Sequence, residues 1–246
     1  MKVLFFFSEM ISEQFVVTGL ELVLKHKRNG NSVHVHSCNG NFKTCYDNKQ
    51  HKTSLCSLCK LKLKKNLKRV GVPSENVQFV KKTKHIFKRT FLNIDELKAF
   101  KHNNIDFGVA VAARLITTLR DHKPDTIKHK NYINLLLSAT QTAFESMCNE
   151  IDRIQPDVIY IYNGRADIHC GAVFAATLKT IPFFTYDSNR ATLPFKYTLF
   201  RQAPVHDLKT LKNLISRIWE DGSDPQRIDA GKNWFIQKRK SCPSAG

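Results

Sequence analysis

Strand, helix, glycine turn and strand succeed one another within the first 36 residues, and a second strand–helix–strand unit, with its glycine turn before the helix, lies between residues 158 and 186. A 246-residue chain that is 42% hydrophobic and 24% charged has the length and composition to bury a core around such units. These two observations predict an α/β fold with a parallel sheet flanked by helices. They exclude wholesale disorder. No apolar run approaches the ~20 residues that span a bilayer. The opening KVLFFF is followed at once by SEMISEQ, without a signal peptide's long apolar stretch or cleavage site. The expectation is a basic, soluble, cytoplasmic protein.

Residues 2–7 form a continuous apolar run, as a strand buried on both faces requires. Residues 14–27 carry Phe15, Leu20, Leu22, Val23 and Leu24 with no proline and read as a helix that stops at Asn29-Gly30. In residues 32–36, Val33 and Val35 alternate with His34 and His36, which predicts the second strand. A helix is expected over residues 55–69, stopped by Gly71 and Pro73, then a short strand over residues 77–80. Asn93, followed by Asp95 and Glu96, has the form of a helix cap with acids in the first turn. Helices are expected over residues 94–102, 107–121 and 132–154, the last closed by Pro156. Next come the strand VIYIY (158–162), the turn Asn163-Gly164-Arg165, a helix over 168–179 and a returning strand over 181–186. Gly171, Ala172, Ala175 and Ala176 would let that helix lie close to the sheet. Beyond Pro194 the pattern predicts helices alone, over 207–220 and 225–238. Four or five strands alternate with helices in the Rossmann manner, with residues 1–240 as the domain, 37–72 as a Cys/Lys-rich insertion and 241–246 as a tail.

Charge and cysteine both concentrate near that insertion. Residues 25–89 hold seventeen Lys and Arg against two acids, Asp47 and Glu75, and so carry most of the formal charge of +18. Such a field gathers anions: nucleic acid, anionic lipid headgroups, acidic sugars or sugar phosphates. It also has a plain reading as a solvated face that keeps the chain soluble. Four of the seven cysteines, Cys38, Cys45, Cys56 and Cys59, fall within 22 residues as C-x6-C-x10-C-x2-C. In a reducing compartment this clustering favours a structural metal, zinc or an iron–sulfur cluster, over disulfides. Buried or free thiols are the alternative. His34, His36 and His51 stand nearby as substitute ligands, each a solvated histidine on the plain reading.

Ligands of open α/β sheets gather at the carboxyl ends of the strands, beside helix N-termini. Asn163-Gly164-Arg165 with Asp167 stands at such an end, and Asp187, Ser188, Asn189 and Arg190 follow the next strand at the same edge. Gly164 permits the tight turn, and Arg165 can pair with a phosphate or carboxylate. A plain turn capped by Asp167 is the competing account. The loop after the first strand opens on this edge too, where Glu9 or Glu13 can serve as a general base, although an exposed loop acid is the commoner explanation.

The segment DVIYIYNGRADIHCGAVFAATLKTIPFFTYD resembles the core of bacterial capsule and lipopolysaccharide glycosyltransferases, in which a strand ends in NGR, an Ala-rich helix follows, and a second strand leads to an acid. The resemblance extends to HVHSCNGNFKTC, SLCSLCKL, FLNIDELKAF and the helix after Phe107. Asn163, Gly164 and Arg165 match the family turn, and Asp187 stands where the family has an acid, more usually Glu. Ile168, His169 and Cys170 occupy the region in which the family often carries a second arginine. The resemblance implies a GT-B N-terminal half that holds a glycan or lipid-linked acceptor at the cytoplasmic membrane face. It also implies that the nucleotide-sugar donor is bound by a second, partner domain, which these residues do not contain. A rival expectation is a metal-stapled, basic nucleic-acid-binding protein. Against it, the aromatics among the lysines (Phe42, Tyr46, Phe79, Phe87, Phe91) are sparse, and no RRM, KH or helix-turn-helix signature is present. The first strand–helix turn lacks G-x-G-x-x-G, which argues against dinucleotide binding.

Overall fold

The computed structural model describes residues 1–11, 13–49, 51–83, 85–189, 196–205 and 207–241. In chain order the elements are β1 (Lys2–Phe7), α1 (Glu13–Arg28), β2 (Ser32–Ser37), α2 (Thr53–Arg69), β3 (Val77–Phe79), α3 (Ile94–Ala99), α4 (Phe107–Leu119) and α5 (Lys130–Ile154). They continue as β4 (Val158–Tyr162), α6 (Asp167–Leu178), β5 (Phe183–Asn189), β6 (Lys196–Arg201), α7 (Leu208–Asp221) and α8 (Asp224–Ser241). The chain divides into two compact units, Met1–Val205 with the sheet, and His206–Gly246 with α7 and α8.

The six strands stand in the order β3-β2-β1-β4-β5-β6, parallel throughout except for the antiparallel pairing of β6 with β5. This is the Rossmann-like α/β arrangement that the alternating pattern predicts. Because successive side chains of a strand point to opposite faces, the apolar run of β1 feeds two cores. Leu4 and Phe6 join Ile159, Ile161 and the inner faces of α5 and α6 on one side. Val3, Phe5 and Phe7 join Val33, Val35, Tyr160 and the inner faces of α1 and α2 on the other. Phe5 and Phe6 are almost wholly buried, which contributes roughly 1.5–3 kcal/mol each. A third cluster, from Phe91 through Leu97, Phe107 and Leu115 to Leu136, packs α3 and α4 onto α5.

Two expectations need correction. The stretch after Pro194 is not helical at once: Lys196–Arg201 is the strand β6, whose Thr198 and Phe200 stand opposite Asp187 and Thr185 of β5. Pairing with a neighbour that is distant in sequence decided its conformation, and local propensity does not report such pairing. The helix expected over 94–102 ends at Ala99, because residues 102 and 105 close a small bridge before Phe107. Asn93 caps α3 as expected, its side chain accepting from the backbone of Asp95 and Glu96. Among the described residues, no helix is long and apolar enough to cross a membrane.

Close approach fixes the functional edge. At Gly171 an added Cβ would lie 2.6 Å from the Thr140 carbonyl oxygen, so the small residue lets α6 settle against α5. Gly164 has φ +74°, and a Cβ there would sit 2.6 Å from Thr185 Cγ2. Both the left-handed backbone and the packing therefore demand glycine. Gly164→Ala is expected to lower the unfolding free energy by about 2–3 kcal/mol in chemical denaturation, without changing the secondary structure of the folded state.

Candidate functional site

The strand order reverses its sense of travel between β1 and β4. The connections leaving these two strands diverge, and a crevice opens at their carboxyl ends. A cavity of about 150 Å³ lies there, lined by Ser8 and Glu9 after β1, by Tyr162, Asn163 and Arg165 at the end of β4, and by Asp167 and His169 of α6. Tyr46 of the insertion and Arg114 of α4 complete the wall. Of the candidate site residues read from the sequence, Glu9, Asn163 and Arg165 line this cavity, and so does Asp167, which the sequence offered as a helix cap.

The Asn163-Gly164 corner is built by backbone pairing. Asn163 adopts φ +57°, its N–H donates to Tyr186 O at 2.9 Å, and its carbonyl accepts from Val205 N–H at 2.8 Å. Its side-chain oxygen faces the Arg165 N–H at 3.3 Å, so the amide holds the turn. Arg165 is thereby presented as an exposed cation at the mouth. Asp187 sits on β5 beside this corner without lining the cavity. Its carboxylate accepts from Tyr162 OH at 3.4 Å and from the Ser188 N–H at 2.8 Å. Glu13 opens α1, but its side chain, like all of Arg190, lies outside the described residues.

Asp167 does not act as a cap. The residue before α6 is Ala166, with no side-chain cap, and the Asp167 carboxylate turns inward to accept from Thr44 Oγ1 at 3.2 Å and to face Arg114 Nε at 3.8 Å. Both partners of this ion pair are buried. Arg114 Nε makes no hydrogen bond, and its guanidinium lies 4.6 Å from the centre of the Tyr46 ring. Burial works against the charge of Arg114, but Asp167, Tyr132 and Glu9 outweigh it and raise its pKa. Burial likewise pushes the Asp167 carboxyl above its ordinary value despite the facing guanidinium.

Glu9 is buried in the same space. Desolvation first, and the carboxylates of Asp47 and Asp167 after it, raise its pKa from 4.5 to about 8, against the opposing pull of Arg114. His169 stands 3.9 Å from Glu9 Oε1 and shares a 2.7 Å hydrogen bond with Ser8 Oγ. Burial and Arg114 depress the His169 pKa to about 3, so near neutrality the ring is uncharged and its contact with Glu9 is no ion pair. The site thus holds a carboxyl that can give or take a proton close to neutral pH, beside a fixed internal cation and an exposed one. Arg114 and His169 were not marked as site residues by the sequence reading. The available signal was a lone arginine amid the apolar positions Ala110, Val111 and Leu115 of a helix.

The four clustered cysteines share one cavity. Cys38, Cys45, Cys56 and Cys59 line one narrow cavity of about 30 Å³ together with Asp47, Asn48, His51 and Lys60. As the side chains stand, no group of three or more His, Cys, Asp or Glu among the described residues is arranged to hold a metal ion. Burial raises the thiol pKa of Cys45 to about 12 and of Cys59 to about 11, which leaves both protonated near neutrality. His34 and His36 lie apart from this cavity, and His36 bonds Ser146 Oγ at 2.6 Å.

Two measurements test these electrostatics. Arg114→Met leaves Asp167 buried beside no cation, and the expected loss is about 3 kcal/mol of unfolding free energy at neutral pH. Glu9 binds its proton more tightly in the folded than in the unfolded chain. Its contribution to stability is therefore complete below about pH 4.5 and is lost as the pH climbs through about 8. Glu9→Gln should accordingly melt above the wild type near pH ~9, with the difference shrinking toward pH ~5, in a pH series of thermal unfolding.

No protein-family description matches the sequence, and no curated protein matches it. Solved structures do resemble it in fold. The UDP-GlcNAc 2-epimerase from Neisseria meningitidis bound to UDP-GlcNAc aligns over 75% of this chain and 31% of its own, at 14% identity and a TM-score of 0.36. The zinc-inhibited form of teicoplanin deacetylase Orf2 aligns over 76% of this chain and 67% of its own, at 11% identity and a TM-score of 0.44. The Streptomyces sp. SF2575 glycosyltransferase SsfS6 aligns over 75% and 38%, at 12% identity and a TM-score of 0.34. The chain thus spans about a third of the length of the epimerase and somewhat more of the glycosyltransferase. What it has in common with these proteins is the α/β architecture.

Proposed function

We propose that this chain is the acceptor-binding half of a glycosyltransferase that builds a bacterial surface polysaccharide, capsule or lipopolysaccharide, and that the acceptor lies in the crevice between β1 and β4. The observation that carries this reading is the placing of Glu9, a buried carboxyl whose pKa is raised to about 8, in one cavity with Arg114 and with Arg165 at its mouth. Sugar transfer requires an acceptor hydroxyl oxygen to attack the anomeric carbon of the donor while the bond to the leaving diphosphate breaks and the hydroxyl proton departs. Glu9 is the group that receives the proton. Arg165 draws an acidic sugar or a lipid-linked phosphate to the opening, and Arg114 steadies negative charge deeper in. Asn163 and Gly164 hold the corner in shape. The nucleotide-sugar donor comes from a second α/β domain, which makes the activity a joint property of two halves.

The basic residues of 25–89 belong to this reading as the side that meets anionic lipid or acidic glycan at the inner face of the cytoplasmic membrane. Nucleic acid suits it less well. Of the aromatics in and beside that stretch, Phe42 and Phe91 are buried and the ring of Tyr46 lies against Arg114, which leaves little to stack on bases.

Saturation-transfer NMR with acidic oligosaccharides tests the proposal. The wild type is expected to show transfer, and Arg165→Ala to bind about tenfold more weakly. Equal signals from both proteins, or none from either, would sink the acceptor reading.

A further inference from the structure

The cysteine cavity raises a question that sugar binding does not answer, because none of its thiols lines the crevice. Its four sulfur-bearing residues come from three separate pieces of chain: Cys38 just after β2, Cys45 in the following loop, and Cys56 and Cys59 three apart on α2. Residues i and i+3 of a helix share a face, so the last two present their sulfurs side by side. Cys56 stands in the first turn of α2.

Donors already surround these sulfurs. The Gly40 N–H points to Cys38 Sγ at 3.2 Å, and the backbone N–H groups of Asn41 and Phe42 face the same sulfur. The N–H groups of Asp47 and Asn48 face Cys45, that of Met10 faces Cys59, and Asn48 Nδ2 donates to Cys56 Sγ at 3.3 Å. Two of the sulfurs thus accept from residues two and three places further along the chain, Gly40 and Asn41 for Cys38, Asp47 and Asn48 for Cys45. N–H donors placed around sulfur in this way form the outer shell that orients a metal-bound cysteine. His51 Nε2 is buried in the same lining without a hydrogen-bond partner. Lys60 adds a positive charge there, and Glu9 and Asp47 bring carboxyl groups.

We propose that Cys38, Cys45, Cys56 and Cys59 bind one zinc-class cation as thiolates and that this ion staples the insertion to the carboxyl edge of the sheet. The cavity has room for about one water-sized body, which suits a single ion and not a multi-iron cluster. Binding requires the sulfurs to rotate inward about their Cα–Cβ bonds, since as the side chains stand they border the cavity without converging. Each thiol that binds releases its proton to solvent, so loading leaves four thiolates on one divalent ion. Ser8, Glu9 and Ile168 border both this cavity and the crevice or its wall, so the staple would brace the loop that carries Glu9.

The test uses the full chain and the metals alone. Purified protein is stripped with a chelator and titrated with cobalt and then with zinc, while metal content, cobalt absorption and reactive thiols are measured. Expected are one ion per chain, the visible bands of tetrahedral cobalt thiolate, displacement by zinc, and four of the seven thiols shielded. Cys56→Ser with Cys59→Ser should abolish this, and Cys148→Ser, a partly buried cysteine outside the cavity, should leave it unchanged. Should the double variant fail to fold, thiol shielding in the wild type still decides. The proposal is overturned if folded wild type takes up neither metal, if uptake survives loss of Cys56 and Cys59, or if the chain carries iron with acid-labile sulfide. None of these outcomes depends on acceptor binding, which fails or holds on its own assay.

Discussion

The pairing of Arg114 with Asp167 inside the protein governs the functional edge. Removing two charges from water is costly, and their mutual attraction regains that cost only when the geometry and the further hydrogen bonds are good. Thr44 supplies one such bond to the carboxylate, and the face of Tyr46 covers the guanidinium. The pair therefore ties together three pieces of chain: α4, the start of α6, and the stretch of the insertion that carries Thr44 and Tyr46. It also shapes the electrical character of the crevice. Burial is the larger influence on Glu9, Asp167 and His169, and the one guanidinium acts on all three, opposing the rise of the two carboxyls and adding to the fall of His169.

Much of the architecture can be read from the chain because its strands are locally emphatic. Residues 2–7 and 158–162 are apolar without a break, a pattern suited to strands covered on both faces. Asn29-Gly30 and Pro156 end helices in the sequence and in the structure. β6 escaped notice because its residues, Lys196–Arg201, follow Pro194 and carry both charge and aromatic character. An edge strand paired on one side shows no strong pattern of its own.

The site was legible in part, and the division follows from distance along the chain. The Asn163-Gly164-Arg165 corner announces itself because glycine is required locally, at φ +74° and against Thr185. Arg114 reaches the crevice from a helix about fifty residues upstream of that corner, and its place there depends on how α4 packs against α5 and α6. Nothing in GVAVAARLITTL states that packing beyond the oddity of a cation on a buried face. The cysteines are the intermediate case. Their spacing points to a common site, whereas the backbone N–H groups that surround their sulfurs become visible only when the loop is folded.

The seat of α6 against α5 bears on how strongly the crevice can hold anything. With Gly171 lying against the Thr140 carbonyl, the helix that carries Asp167, Ile168 and His169 has no slack along its neighbour. The wall that α6 contributes is thus set in advance, and a guest need not spend affinity on seating it. Adaptation to a guest's outline falls to the other lining residues, the exposed Arg165 at the mouth among them.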